Sequence, residues 1–244
     1  MKDDFLSARV QDLYDLTFKT SVPHYLGFLS ESEAAVCEEM LKRTSAKFLS
    51  FGGFDAAERK MLCCMPEWCD KPDFPIKAIT FEFNSSYKLS HRDFLGSLMA
   101  LGITRESVGD ILVENGRAVA FVKTSVLKFI LTQIEKIGRV GVQIKTGFSE
   151  PLPNVSELIS SVTTVSSMRL DCVISAICGV SRNTALEYIE DGKVYLNSLP
   201  TQKATKLVLN GDSVTVRTKG KFYIVDSDEH SKKGRIILKY NKYK

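Results

Sequence analysis

Residues 168–192 read MRLDCVISAICGVSRNTALEYIEDG, and this stretch decides the fold of the C-terminal third of the chain. Apolar residues recur at three- and four-residue spacing from Leu170 to Ile177, which predicts a short helix that ends at Gly179. Ser181 is a good N-cap, so a second helix is predicted directly after it. Two short helices in succession, each preceded or opened by a basic residue, therefore begin this part of the protein.

Short apolar runs separated by turns follow the two helices. They predict strands at residues 194–196, 213–217, 222–225 and 235–238. We therefore expect residues 168–244 to form an α+β domain that carries a basic C-terminal hairpin.

The charge of the chain is concentrated in this last part. The formal net charge of the 244 residues is +4. Residues 1–164 carry 19 Lys or Arg and 21 Asp or Glu, whereas residues 165–244 carry 14 and 8. A nearly neutral body with a basic C-terminal third favours a surface that meets a polyanion such as RNA.

Composition excludes several classes of protein. Hydrophobic residues make up 44% and charged residues 25%, which suits a folded globular chain. No apolar run approaches the roughly 18 residues of a membrane helix, and the acidic start does not resemble a secretory signal, so we expect a cytoplasmic protein without a membrane partner. The six cysteines are expected to be reduced thiols rather than metal ligands, because no second CxxC pair accompanies residues 63–69. No cofactor and no small-molecule substrate are expected.

The remaining residues divide into three segments. Residues 1–74 predict a small mixed α/β domain, and the prolines near residue 75 mark its end. Residues 75–147 predict the order βαββαβ, an RRM-like or ferredoxin-like arrangement, with Asn115-Gly116 as a hairpin turn. Residues 148–167 are rich in Ser and Thr and predict a linker, with a short strand near residues 161–165.

RNA-recognition modules of this topology stack bases on aromatic side chains of their central strands. Phe81 or Phe83 and Phe121 are the residues at the corresponding strands here. The strand at 117–123 lacks the usual alternation of glycine and aromatic residues, so a place in the core is the favoured interpretation for these rings.

Basic and polar residues at the ends of the C-terminal elements are the candidate RNA-binding residues. Arg182 opens the second helix, where free N–H groups already favour a phosphate. We expect the set to form one surface that contacts RNA phosphates. Its members are Arg169, Ser181, Arg182, Asn183, Lys203, Arg217, Lys219 and Lys221.

Two sets of motifs carry a resemblance to known families. The first comprises Arg169-Leu170-Asp171, Ser181-Arg182, Ile189 with Gly192, Val194 with Asn197, Gly211-Asp212 and Val216-Arg217. With these residues the stretch 168–221 resembles the S4 RNA-binding domain, whose helical part is of the αL type.

The second set extends the resemblance over nearly the whole chain. It comprises Gly52-Gly53-Phe54, Ala57-Glu58-Arg59, residues 91–96, 101–105 and 109–111, Ile137-Gly138 and Lys232-Lys233-Gly234-Arg235. The chain is similar in these positions to the YlmH family of bacterial S4 proteins. It departs from the family at Thr218-Lys219-Gly220-Lys221, where members often have glycine and arginine.

This resemblance implies RNA binding without catalysis. It implies association with the large ribosomal subunit, contacts to ribosomal RNA and transfer RNA, and a role in ribosome-associated quality control. His91, Arg92 and Arg105 lie in the shared motifs and are candidates for a second contact.

Two other classes stay open. Pseudouridine synthases place a catalytic aspartate in a motif that begins Arg-Leu-Asp, which residues 169–171 copy, although residues 172–175 do not continue it. A methyltransferase would need a glycine-rich loop that the chain lacks. The resemblance also implies an alternative role as a protein-interaction adaptor linked to cell division.

Overall fold

The computed structural model of the protein describes residues 2–153 and 158–243. Its Cα positions group the chain into two units, Met1–Val155 and Ser156–Lys244. The described residues form six α-helices, one short 3-10 helix and several antiparallel sheets, which is a mixed α/β architecture. No helix in these two ranges is long and apolar enough to cross a membrane.

The first unit begins with a three-stranded sheet and two helices. The elements are α1 (Lys2–Thr20), β1 (His24–Leu29), α2 (Glu31–Lys42), β2 (Lys47–Phe51) and β3 (Lys60–Met65), and the strand order is β1-β3-β2. Ser30 and Glu33 form a capping box at the start of α2. Strand β1 was not expected from the sequence, because Gly27 interrupts its apolar run and its partner β3 is far along the chain.

A four-stranded sheet follows in the same unit. Its region contains β4 (Ile76–Glu82), α3 (His91–Ala100), a 3-10 turn (Arg105–Ser107), β5 (Val108–Glu114), β6 (Arg117–Lys123), α4 (Thr124–Gln133), β7 (Lys136–Ile137), β8 (Val140–Gly141) and β9 (Gln143–Thr146). The sheet order is β5-β6-β4-β9, and all pairs are antiparallel. The predicted succession of strands and helices and the turn at Gly116 are confirmed.

Both faces of the four-stranded sheet are buried. Helices α3 and α4 pack on one face, where the Phe81 ring lies in the core. The opposite face carries Val119 and Phe121, which pack in one cluster with Phe28 and Met61 of the three-stranded sheet. The preference for core positions is confirmed for Phe81 and Phe121, so neither ring is accessible to a base. The predicted boundary near residue 75 falls between two sheets of one compact unit.

The second unit is a six-stranded sheet with two helices. Its elements are β10 (Leu158–Val165), α5 (Leu170–Cys178), α6 (Arg182–Glu190), β11 (Val194–Leu196), β12 (Leu199–Pro200), β13 (Ser213–Val216), β14 (Gly220–Asp226) and β15 (Ile236–Tyr243). The sheet order is β10-β15-β14-β13-β11-β12. Inward-facing residues of the strands and the apolar sides of α5 and α6 share one core, so both helices cover the same face of the sheet.

The segment predicted as a linker contains more structure than expected. Residues 158–165 form a strand of eight residues that pairs along its whole length with β15. The predicted short strand at 161–165 is therefore the second half of β10. Ser and Thr, whose abundance suggested a linker, are compatible with an edge strand because one side of such a strand remains in water.

Candidate nucleic-acid interface

The carboxylate of Asp171 holds two arginine side chains together. Arg169 donates to it from Nε and Nη2 at 3.1 and 3.0 Å, and Arg182 donates from the same two atoms at 2.9 and 2.7 Å. The Asp171 side chain is 1% exposed, whereas those of Arg169 and Arg182 are 37% and 54% exposed. We call Arg169 and Arg182 the arginine pair.

The charge of this group is fixed at ordinary pH. Burial alone would raise the pKa of Asp171, but hydrogen bonds and charge from Arg169 and Arg182 outweigh it and lower the pKa to about 2. One carboxylate thus neutralises one of two guanidinium charges, and the trio keeps a net charge of +1. Each guanidinium has five N–H donors and gives two of them to Asp171, so three on each remain available.

The loop at residues 203–206 lies against the start of α5 beside this group. The backbone N–H groups of Leu170 and Asp171 donate to the carbonyl oxygens of Lys206 and Ala204, at 2.8 and 3.2 Å. Lys203 and Lys206 are exposed, and neither makes an ion pair within residues 2–153 and 158–243. We call the surface formed by the arginine pair and these two lysines the basic end; Lys206 was not among the predicted site residues.

Ser181 directly precedes α6 and Asn183 lies in its first turn, so they flank Arg182. The Ser181 hydroxyl accepts the backbone N–H of Thr184 at 3.0 Å, which confirms it as the N-cap. Asn183 is exposed. Gly179 between the helices adopts a left-handed conformation with φ of 63°, which turns the chain sharply enough for Arg182 to reach Asp171.

Arg217 and Lys221 occupy a different face of the second unit. Residues of β11 alternate, so Val194 and Leu196 face the helices and Tyr195 faces away from them. The Arg217 guanidinium lies 5.3 Å from the centre of the Tyr195 ring and donates to its hydroxyl. The Lys221 amine lies 4.9 Å from the centre of the Tyr223 ring on the same outward side of the sheet.

Lys219 lies near the other end of α5 from Arg169. Burial raises the pKa of Cys178, the last residue of α5, to about 11, against the opposing effect of Lys219 and Lys242. These two lysines are therefore close to the C-terminal end of the helix.

Arg217 and Lys221 thus lie on the side of the sheet opposite to the residues at the helix starts. Arg169, Ser181, Arg182, Asn183 and Lys203 lie around the helix starts, whereas Arg217, Lys219 and Lys221 lie on the sheet or near the end of α5. The signal for this division is present in the sequence as the alternation of Val194, Tyr195 and Leu196.

The second predicted contact lies in the first unit, with His91 and Arg92 at the start of α3 and Arg105 at the start of the 3-10 turn. Arg105 is half-buried, and its guanidinium donates to the carbonyl oxygens of Val108 and Gly109. Burial, followed by the charge of Arg59, lowers the pKa of Arg105 to about 10. Burial and the charges of Arg105 and Arg59 lower the pKa of His91, so its imidazole is neutral near pH 7. Arg92 is exposed at the start of α3.

The cysteine-rich stretch lies inside the first unit. Cys63, Cys64 and Cys69 are buried, and burial raises the pKa of Cys63 to about 12. Within the described residues, no three His, Cys, Asp or Glu side chains are grouped so that they could hold a metal ion.

Comparisons with known proteins agree with this description. Residues 69–149 match a family model described as "Putative RNA-binding domain in YlmH". The chain is 26% identical over 222 residues to the ribosome-associated protein quality control protein P2 of Bacillus subtilis (strain 168), a match that covers 89% of this chain and 86% of that protein.

A solved structure shares the fold. The cell division protein ylmH from Streptococcus pneumoniae superposes with a TM-score of 0.54 at 20% sequence identity, and the match covers 62% of this chain and 95% of that one. The three comparisons thus agree: residues 69–149 are similar to the RNA-binding domain of YlmH proteins, most of the chain is similar to the Bacillus subtilis protein, and the fold resembles that of a ylmH protein.

Proposed function

We propose that the protein is a non-catalytic RNA-binding protein, and that its second unit is an S4-type domain that docks on structured RNA through the basic end. The observation that carries the proposal is the arginine pair on a buried carboxylate. Asp171 fixes two long side chains that would otherwise be mobile, and it leaves three N–H donors of each facing outward. A preorganised pair of this kind suits phosphate oxygens, which guanidinium groups bind with two parallel hydrogen bonds.

The surroundings of the arginine pair support a phosphate-binding role. Lys203 and Lys206 add two charges without carboxylate partners among the described residues. Ser181 and Asn183 add polar groups at the start of a nine-residue helix, where the backbone dipole also favours an anion. The basic end therefore combines N–H donors held in fixed directions with an excess of positive charge.

The outward face of the sheet supplies a second contact in this proposal. Arg217 and Lys221, each beside a tyrosine ring, would bind phosphates or stack on an unpaired base as RNA passes from the helix starts to the sheet. Lys219 would contribute a further phosphate contact near the end of α5.

The first unit is proposed to contain an RRM-like domain in residues 75–147. Its element order and the sheet order β5-β6-β4-β9 support this proposal. Base stacking on Phe81 or Phe121 is not part of it, because both rings are buried. His91 and Arg92 are the exposed members of the second predicted contact, and they are the ones proposed to reach RNA.

We infer the RNA from the relative that spans most of the chain. The Bacillus subtilis protein is named for ribosome-associated quality control, so we propose ribosomal RNA and transfer RNA on the large ribosomal subunit as the partner, in the bacterial cytoplasm. Cosedimentation with separated ribosomal subunits, with and without bound tRNA, tests this part: enrichment with the small subunit alone would contradict it.

Salt titration of RNA binding tests the surface itself. Each phosphate contact should contribute about 0.7 to 0.9 to the slope of log affinity against log salt. Arg182→Ala should weaken binding and reduce the slope by about one, whereas Arg43→Ala, the same charge change on the exposed residue that follows α2, should leave both unchanged. Unchanged affinity and slope for Arg169→Ala and Arg182→Ala together would rule out the basic end.

The geometry of Asp171 speaks against the enzyme alternative. A catalytic aspartate needs access to its substrate, whereas this carboxylate is 1% exposed and bonded to two guanidinium groups. The adaptor alternative rests on the name of the Streptococcus pneumoniae protein. It would be favoured by a division-protein complex that survives RNase treatment.

A further inference from the structure

An aromatic cleft of about 840 Å³ opens between the two sheets of the first unit. Strand β2 contributes Phe51 to it, the segment before β4 contributes Phe74, and the residues after β9 contribute Phe148. The buried Phe121 ring lies at its base. Its volume falls within the roughly 300–1,000 Å³ typical of ligand sites.

The rings form two contacting pairs around the opening. Phe51 and Phe74 are 5.5 Å apart between ring centres, and Phe121 and Phe148 are 5.8 Å apart. Phe51 is 36% exposed and Phe148 is 37% exposed, so each presents part of its ring to the cleft or to solvent. The cleft is therefore a place where a planar apolar group can contact aromatic rings without a rearrangement of the core.

Two lysines stand at the rim of the cleft. Lys71 and Lys77 line it and are exposed, and neither forms an ion pair in the part of the chain that the structure describes. Asp73 is the one carboxylate in the lining, so the cleft keeps a net charge of +1. Unpaired cations beside aromatic rings suit a ligand that combines a planar base with a phosphate.

We propose that this cleft binds unpaired nucleotides of single-stranded RNA, with bases against Phe51 and Phe148 and phosphates near Lys71 and Lys77. The cleft lies largely within residues 69–149, the stretch that matches the RNA-binding family model. Because Phe81 and Phe121 are buried, the cleft takes over the stacking role that the open sheet face has in other modules of this topology.

The cleft lies in the first unit and the basic end in the second. RNA binding at one of them can therefore be disproved while RNA binding at the other stands. The test uses the full chain and fluorescein-labelled oligouridine and oligoadenosine of about eight nucleotides, a length within the site sizes of single-strand binders. Fluorescence anisotropy gives the affinity for each RNA at several salt concentrations.

Phe148→Ala and Phe51→Ala should each weaken binding of the oligonucleotides roughly 5- to 150-fold, the range expected for loss of one stacked base. Phe18→Ala is the matched control, because Phe18 is 80% exposed on α1 and does not line the cleft. Lys77→Gln should reduce the salt slope by about 0.7, the single-strand value for one phosphate, while the exposed Lys88→Gln should not.

Phe148→Tyr and Phe148→Leu separate stacking from simple apolar contact. The tyrosine variant should bind the oligonucleotides as tightly as the natural protein does. The leucine variant should bind them almost as weakly as Phe148→Ala does. An acidic apolar peptide as the true occupant would be indicated if leucine serves as well as phenylalanine, and that result would overturn the proposal.

The Phe148 comparison is repeated in an Arg169→Gln, Arg182→Gln background. An effect of Phe148→Ala that persists there supports the cleft whatever the fate of the basic end. Crosslinking with 5-iodouridine, which reacts with stacked aromatic residues, should label Phe51 or Phe148. Full oligonucleotide affinity in both alanine variants, with no label at either ring, would overturn the proposal even if structured RNA still binds the basic end.

Discussion

Replacing Asp171 by asparagine separates the effect of fixed geometry from the effect of charge. The change raises the net charge of the second unit by one, so a surface that works by charge alone should bind RNA more tightly. Asn has one acceptor oxygen and an NH₂ group, so it cannot accept the four N–H groups that now meet the carboxylate. We therefore expect Arg169 and Arg182 to lose their fixed positions.

The stability of the second unit should fall as well. A pKa of about 2 for Asp171, against an ordinary value of 3.8, corresponds to about 2.5 kcal/mol in favour of the folded state near pH 7. A folded pKa below the unfolded one means that this contribution is present above about pH 4 and disappears as the pH falls towards 2. Urea titrations between pH 7 and pH 2.5 should show this acid-dependent loss in the natural protein and lack it in Asp171→Asn.

RNA binding should weaken despite the added positive charge. Ordering one long side chain on binding costs about 0.5–1.5 kcal/mol, so ordering two would cost about 1–3 kcal/mol, or roughly 5- to 150-fold in affinity. Anisotropy titrations with large-subunit ribosomal RNA fragments at 20 °C, on protein shown to be folded by circular dichroism, measure this loss.

The matched control is Glu187→Gln on the exposed side of α6. It changes the net charge by the same amount and leaves the arginine pair intact. Equal or tighter binding by folded Asp171→Asn, at the level of the Glu187→Gln control, would refute the argument that fixed geometry matters.

Three substitutions test the local structure by urea unfolding. Ser181→Ala removes the N-cap bond to Thr184 and should destabilise the second unit by about 1 kcal/mol; no loss would mean that water replaces the cap. Gly53→Ala should cost about 2–4 kcal/mol, because φ is 105° and a Cβ atom would lie 2.3 Å from the Phe121 ring, and Trp68 fluorescence would report it. Gly179→Ala, with a φ of 63° and no atom within 4 Å of the added Cβ, should cost only about 1–2 kcal/mol; similar losses at both glycines would contradict the steric argument.

Local signals predicted most helices and hairpins of this fold. Ser181 and Gly179 mark helix ends by their own side-chain and backbone properties, and Asn115-Gly116 specifies a hairpin without help from the rest of the chain. Strand β1 was not predicted, because it pairs with β3, which is far away in sequence, and such long-range pairing has no signature in the local sequence.

The sequence identified individual residues of the candidate site but did not predict their arrangement in space. Helix-end positions identified Arg169 and Arg182, yet their convergence on Asp171 depends on how α5 packs against α6. The separation of Arg217 from this pair follows from strand alternation, which places its tyrosine partner on the outward face. The aromatic cleft could not be foreseen, because Phe51 and Phe148 are almost a hundred residues apart and meet only through the packing of two sheets.

Strand β6 has an apolar core on each of its sides, and this has a consequence for how the protein can be dissected. Val119 and Phe121 rest on residues of the neighbouring sheet, while Ala118 and Ala120 rest on the helices. Cutting the chain near residue 75 would expose, on each of the two fragments, the apolar surface that the two sheets now bury against each other. The first unit should therefore melt cooperatively, as a single transition, and truncations that respect its full length are the ones suited to assigning RNA contacts.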